Sequence, residues 1–315
     1  MLSRRHIRSK VLQSLYGYFQ SKGSDPASYQ KALFKSMERV RELYLLLLLM
    51  LVEFHHQAEH LIEERKKKRL PSAKDLNPDL RFIHNSLLHK LRDSETLNKE
   101  WEREGTASLL PRDLIPSLFK EFENSELYKD HMEKEELGHQ EERDFLAEAF
   151  RQFIADSETF QLRLEERSIH WVDDLDLASS VVLRTLKEMP TRPEKRIELP
   201  PLYRDDEADP AFARKLFLRT IDQDRENRRW IQDHLRNWEL DRIAFIDMLL
   251  LEMAIAEARS FEDIPVKVSI NEYIELAKLF STPKSNRFLN GILDKVIPKM
   301  REEGMVHKVG KGLIE

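Results

Sequence analysis

The chain has 315 residues, 41% of them hydrophobic, enough to build sizeable cores in about two domains. It carries 52 Lys+Arg against 57 Asp+Glu, a formal net charge of -5, which excludes a surface coated with basic residues for bulk nucleic-acid binding and leaves room for a local patch only. There is no Cys, which excludes disulfides, thiolate metal sites and cysteine nucleophiles.

With only 8 Gly and 13 Pro beside abundant Leu, Glu, Lys, Arg, Gln and Ala, the composition favours residues that lose least on entering a helix, and the expected fold class is all-α. The chain opens with "MLSRRHIRSKVLQSLYGYFQ", which holds Arg4, Arg5, His6, Arg8 and Lys10; no acidic residue precedes Asp25. Ile7, Val11, Leu15 and Tyr18 recur at helical spacing. On a helical wheel Arg4, Arg5 and Arg8 fall in the same broad arc as Val11, Leu15 and Phe19. A charge run is ordinarily a solvated face; here the arginines extend the core-facing stripe, so the helix end is expected to overhang the body and present its guanidinium groups along a groove. Arginine suits phosphate because its planar fork donates two parallel hydrogen bonds, and the first turn adds free backbone N–H groups. This start lacks the continuous apolar segment of a signal peptide, and a cytoplasmic location is expected.

Next, Leu33, Met37, Val40 and Tyr44 lead into "LYLLLLLMLV" (43–52). That run is roughly half of the ~20 apolar residues a membrane-spanning helix needs, and charges flank it, so a buried helix is expected. "HQAEH" (56–60) matches H-x-x-E-H, in which two His four residues apart share a helix face and the Glu acts as base. No third ligand is specified, and "ERKKKR" follows on what reads as an exposed helix; a polar helix face is the simpler reading, with no metal and no cofactor expected.

Breaks fall at 21–26, 69–79, 103–113, 189–210 and 281–285, where Gly, Pro, Ser and Asp cluster. The fourth, with five prolines in 22 residues, reads as a domain linker. Sliding the chain against itself by 67 positions aligns Phe145 with Phe212, Ala149 with Leu216, Phe150 with Phe217, Ile154 with Ile221, Leu164 with Ile231 and Trp171 with Trp238. One unit occurring twice and two unrelated helical stretches both explain that pattern. The acidic "HMEKEELGHQEERD" reads as solvated helix surface, and Trp101, Trp171, Trp230 and Trp238 as packing residues.

The segment 263–298, "DIPVKVSINEYIELAKLFSTPKSNRFLNGILDKVIP", is the most informative. Ser269 and Glu272 have capping-box spacing, followed by Tyr273, Leu276, Ala277 and Phe280 on one face. Ser281 or Thr282 is expected to cap the next helix, with Pro283 in its first turn. That start gathers Lys284, Ser285 and Arg287. Phe288 follows, placed either to stack on an unpaired base or to pack in the core. Asn290 and Gly291 sit mid-helix, where glycine implies close approach of another helix. "KVGKG" near the end reads as a frayed tail. No phosphate-loop, dinucleotide or nucleophile-elbow motif occurs, so the chain is not expected to be an enzyme.

The opening R-R-x-x-R with "VLQSLYGY", together with "IPVKVSINEYIELAK", "SNRFLNGILD" and the stretch 212–258, resembles the NusB family of transcription antitermination factors. The resemblance covers residues 1–20 and 209–302. It implies small helical bundles whose first helix binds boxA-type single-stranded RNA of ribosomal transcripts. It further implies a heterodimer with NusE, the small-subunit ribosomal protein S-ten, that joins an RNA polymerase antitermination complex. Carried over, the RNA surface comprises Arg4, Arg5, Arg8, Gln13 and Tyr16, with Lys284, Ser285, Arg287 and Phe288 as its second half; the NusE contact falls around Asp247, Leu250, Leu251 and Ala254. The resemblance implies an acidic residue in some relatives where Lys284 stands. Residues 21–208 have no counterpart in the resemblance, so the expected organisation is a first helix (1–20), a helical insertion or enlarged bundle (21–208), a C-terminal bundle (209–302) and a tail (303–315). The alternative reading is a protein–protein scaffold whose function resides in the insertion.

Overall fold

The computed structural model describes residues 1–21, 25–134, 138–190, 192, 195–235 and 243–313, and all its regular elements are helical. In chain order the helices are α1 (Arg4–Gln20), α2 (Pro26–Lys66), α3 (Ala73–Leu76), α4 (Ser86–Arg92), α5 (Glu95–Glu104), α6 (Ile115–Asn124), α7 (Glu126–Glu133) and α8 (His139–Phe150). They continue as α9 (Glu158–Arg167), α10 (Ile169–Val172), α11 (Leu175–Glu188), α12 (Ala208–Asp222), α13 (Asp224–His234), α14 (Phe245–Ser260), α15 (Val266–Phe280) and α16 (Ser285–Glu302). The chain divides into two compact units: the first holds Met1 and Glu38–Leu202, the second Leu2–Met37 and Tyr203–Glu315. The division thus falls inside α2, whose opening residues belong with the C-terminal helices, and not at residue 20.

In the first unit the leucine run of α2 is the core. Leu43 to Val52 are at most 7% exposed, because helices pack around α2 on all sides. By length and composition α2 is also a helix that could cross a bilayer, yet 61% of its most apolar window is buried within the protein. Two tryptophans anchor the packing through α2's backbone: Trp101 Nε1 donates to the Leu45 carbonyl at 2.9 Å and Trp171 Nε1 to that of Arg39 at 3.2 Å. An aromatic cluster of Phe54, Phe82, Phe119, Phe122 and Phe145 fills the far end. His131, within the stretch read as solvated surface, is buried and stacked on Phe145 with ring centroids 3.5 Å apart. Moved along by 67 positions, α9 falls on 225–234, inside α13, and α11 falls on 242–255, overlapping α14; the offset superposes helices as well as apolar residues. Trp238 lies outside the described residues.

The second unit is built around α14. Its segment Asp247–Ala258 is buried throughout, contacted by α1, α12, α13, α15 and α16. The face expected to meet a partner is thus covered within the unit. Asp247 is 7% exposed, and Leu250, Leu251 and Ala254 are fully buried, because a helix with apolar residues on every face must be covered on every face. On α1, Ser3 is the N-cap: its Oγ accepts from the His6 amide at 3.4 Å while His6 Nδ1 accepts from the Ser3 amide at 3.2 Å.

Other local expectations also yield. α15 starts at Val266 after Pro265, so Ser269 sits inside the helix and makes no capping box with Glu272. α16 starts at Ser285 with no side-chain cap; Ser281 and Thr282 instead place their hydroxyls 3.0 and 2.8 Å from Ser285 Oγ. Gly291 has no described atom within 4 Å of the place a Cβ would take, so the expected close approach of another helix is not found among the described residues. The tail is docked: Lys308 Nζ donates to the Phe261 carbonyl at 2.7 Å, and a 3-10 turn spans Gly310–Leu313.

Candidate nucleic-acid interface

The N-terminal turns of α1 meet α12, α14 and α15 through their arginines. Arg4 Nε donates to Asp209 Oδ1 at 2.6 Å, and its guanidinium lies 4.3 Å from the Phe212 ring centre. Arg5 donates through Nε and Nη2 to both oxygens of Glu272, at 3.0 and 2.8 Å. Arg8 does the same with Glu257, at 2.7 Å for each bond, and its remaining nitrogen is 3.6 Å from Glu272. Glu257 also accepts from Ser269 Oγ at 2.7 Å and from the Tyr273 hydroxyl at 3.0 Å.

Arg8 therefore does not overhang the body. Its side chain is 3% exposed and Glu257 is fully buried; a carboxylate that deep requires a matched cation, and four donors converge on it. Burial opposes the charge on Arg8, but Glu257 outweighs it and holds the guanidinium protonated beyond its ordinary range. Burial, reinforced by Glu257, pushes the Tyr273 hydroxyl well up, keeping it a donor. The hydrogen bond from Arg5, aided by Arg8, holds the Glu272 carboxyl below its usual range.

What α1 offers to solvent is narrower than the arginine count. The Arg5 and Arg4 side chains are 45% and 38% exposed, and Tyr16 is 43% exposed. At 100° and 1.5 Å per residue, Arg5 and Tyr16 lie about 20° and roughly 16 Å apart, on one face of the helix. Gln13 is half-buried. Tyr16 sets its ring edge-on to Phe245, centroids 5.4 Å apart, at the first residue of α14. Two residues on, Asp247 Oδ2 accepts from Ser285 Oγ at 2.7 Å. The first turn of α14 thus joins the middle of α1 to the start of α16.

At that start Lys284 and Arg287 are exposed, with no ion-pair partner among the described residues. Phe288 is half-buried and Ser285 is 2% exposed, so the serine holds the turn in place instead of facing solvent. The surface therefore carries two paired cations at one end of α1, an exposed tyrosine on the same face, and two unpaired cations at α16. It holds anion donors and aromatic faces. Sequence reasoning missed Asp209 and Glu257, the acidic counterparts. Glu257 was visible as a charge within the apolar run "MLLLEMAIAEA", the pattern of a buried carboxylate awaiting a cation.

The sequence model of the NusB family matches residues 201–298, which covers α12 to α15 and α16 as far as Pro298 and leaves α1 outside the matched span. Similar curated proteins are the transcription antitermination protein NusB of Salinibacter ruber, 43% identical over 110 residues, covering 35% of this chain and 69% of that protein. That of Bacillus pumilus is 40% identical over 99 residues, covering 31% of this chain and 75% of the relative. That of Chloroherpeton thalassium is 51% identical over 85 residues, but the match takes in only 27% of this chain and 40% of the relative. On an all-α fold whose C-terminal helices carry the shared segment, these identities place the chain in the NusB family.

Proposed function

We propose that this chain is a non-enzymatic transcription antitermination factor that binds boxA-type single-stranded RNA of ribosomal transcripts together with NusE. The observation that carries the reading is the exposed series Arg5, Tyr16, Lys284 and Arg287 within the second unit, in a chain whose relatives are named for transcription antitermination. Arg4 and Arg5 grip phosphate at one end of α1; Lys284 and Arg287 do so at the other side; Tyr16 and Phe288 offer aromatic faces for an unpaired base. Arg8 and Ser285 act through position, Arg8 by fixing α1 on α14 and Ser285 by fixing the α16 turn. Such a factor works by binding in the cytoplasm, with the RNA polymerase complex as its destination and no membrane involved.

The test is binding of labelled boxA RNA and a scrambled RNA of equal length, with and without NusE, at two salt concentrations. Tight binding that prefers boxA, strengthens with NusE and weakens with salt at about 0.7 in slope per phosphate contact supports the reading. Equal weak affinity for both RNAs overturns it. A second reading, a protein–protein scaffold, is favoured by the first unit, which has its own core in a stretch almost entirely outside the family match. Pull-downs with and without ribonuclease separate the two: partners lost on RNA digestion belong to the first reading, partners retained to the second.

A further inference from the structure

The H-x-x-E-H stretch of α2 assembles differently from the way its spacing reads. His60 is exposed and faces Glu64, whereas His55, one residue before the motif, turns into the first unit and is fully buried. His55 Nε2 lies 2.8 Å from the carbonyl oxygen of Ile83. A carbonyl can only accept, so Nε2 carries the proton, and in the neutral ring Nδ1 holds a bare lone pair. Nδ1, in contrast, is buried without a hydrogen-bond partner among the described residues, and it faces Glu59 Oε2 at 3.6 Å. Two electron-rich atoms, an imine lone pair and a carboxylate oxygen, thus confront each other across a gap too long for a hydrogen bond.

His56 completes a triangle. One ring nitrogen of His56, Nδ1 or Nε2 of His55 and a Glu59 oxygen all lie within 4.8 Å of one another. Atoms bound about 2.0–2.2 Å from a tetrahedral zinc ion sit roughly 3.3–3.6 Å apart, so the His55–Glu59 separation already matches and His56 needs a side-chain adjustment. A ligand histidine that donates its other ring N–H to a backbone carbonyl has its tautomer and ring plane fixed, which is what Ile83 does for His55. Arg92 lies nearby, its Nη1 3.7 Å from Glu59 Oε1, but its other nitrogens donate to Asp93 at 2.8 and 3.1 Å, which offsets its charge.

We propose that His55 Nδ1, His56 and Glu59 bind one divalent transition-metal ion of the zinc class, with solvent in the remaining position. Two imidazoles and one carboxylate form a borderline donor set that favours such an ion over calcium or magnesium. The site lies in the first unit and is independent of the RNA surface proposed above.

The full-length chain, freed of metal with a chelator that is then dialysed away, is titrated with zinc chloride by calorimetry and with cobalt chloride by visible absorption. One equivalent bound, with a tetrahedral or five-coordinate cobalt spectrum, is expected. Glu59→Gln and His56→Ala alter partly exposed side chains that the fold does not need, and each should weaken binding about tenfold or more; His60→Ala should leave it unchanged. Absence of stoichiometric binding overturns the proposal. So does weak binding at several sites that is equal in all variants, which marks an adventitious ion only.

Discussion

Arg8 and Glu257 form a two-bond ion pair sealed from solvent, 2.7 Å at each bond, between the first helix and the central helix of the second unit. Removing one partner strands the other as a buried charge, which costs about 3–5 kcal/mol; removing both does not. Arg8→Ala should therefore lower unfolding free energy in urea by that order, while the Arg8→Met, Glu257→Leu double variant recovers most of the loss. Arg5→Ala, which breaks a half-exposed pair, should change stability by about 1 kcal/mol or less. Equal losses for Arg8→Ala and Arg5→Ala would show that burial does not distinguish them.

The same contrast separates stability from RNA binding. Glu272 holds Nε and Nη2, two of the three donor nitrogens of Arg5, so a phosphate must compete with it for that edge of the guanidinium. Glu272→Gln should strengthen binding to every RNA and steepen its salt dependence, and Arg5→Ala should weaken every RNA alike. Phe288→Ala should fall hardest on the preferred sequence, since a stacked base and not a phosphate is lost. Filter binding at two salt concentrations reads all three, and an Arg5→Ala protein with unchanged affinity would remove α1 from the surface.

The helices and their inward faces were legible because a period of 3.6 leaves a direct mark: Ile7, Val11 and Leu15, like Leu33, Met37 and Val40, are all buried as their spacing demands. Arg8 lies on that same stripe, yet it was expected to overhang the core; what periodicity could not reveal was Glu257, 249 residues away, whose buried carboxylate draws it inside. Capping was misread for a similar reason. Ser269 and Glu272 have capping spacing, but Pro265 starts the helix earlier and both side chains are taken by partners from other helices. The burial of the expected partner face was not legible because a one-dimensional pattern shows that α14 is largely apolar without showing how many neighbours cover it. His55 was missed because its role depends on Ile83, which no spacing within α2 encodes.

Glu252 gives the second unit a pH dependence with a definite sign. It is fully buried on α14 near Arg228, whose Nε is 2.7 Å from Asp224 and 2.8 Å from Glu252. One N–H cannot point well at both, and among the described residues the two Glu252 oxygens have no well-formed hydrogen bond. Burial pushes the Glu252 carboxyl from 4.5 up to about 8, with Arg228 opposing and Asp224 adding to the rise. The folded state therefore binds a proton that the unfolded state has released. The contribution is fully present below the unfolded value and is lost as pH rises through about 8. Between those limits stability should fall with rising pH by at most about 1.4 kcal/mol per unit, and Glu252→Gln should flatten that component. Urea unfolding of both proteins from pH 5 to 9 checks it; parallel curves would mean that Arg228 keeps Glu252 ionised.

Two glycines should respond to alanine in opposite directions. Gly291 lies within α16, exposed, with nothing within 4 Å of the place a Cβ would take. Alanine there adds no clash and restricts the unfolded chain, so Gly291→Ala should stabilise by about 0.5–1 kcal/mol. Gly312 is buried in the C-terminal turn, and a Cβ would stand 1.9 Å from the carbonyl oxygen of Glu262. Neither atom is the tip of a flexible side chain, so the backbone itself must move. That movement pulls on the bond from the Val309 amide to the same carbonyl, 3.0 Å long, and on the Lys308 contact to Phe261. Gly312→Ala should lower Tm and expose residues 303–313 to limited proteolysis, while Gly291→Ala raises Tm and leaves the digestion pattern unchanged. A tail that is cut equally fast in the parent protein and in Gly312→Ala would show that the docked turn contributes nothing to the second unit.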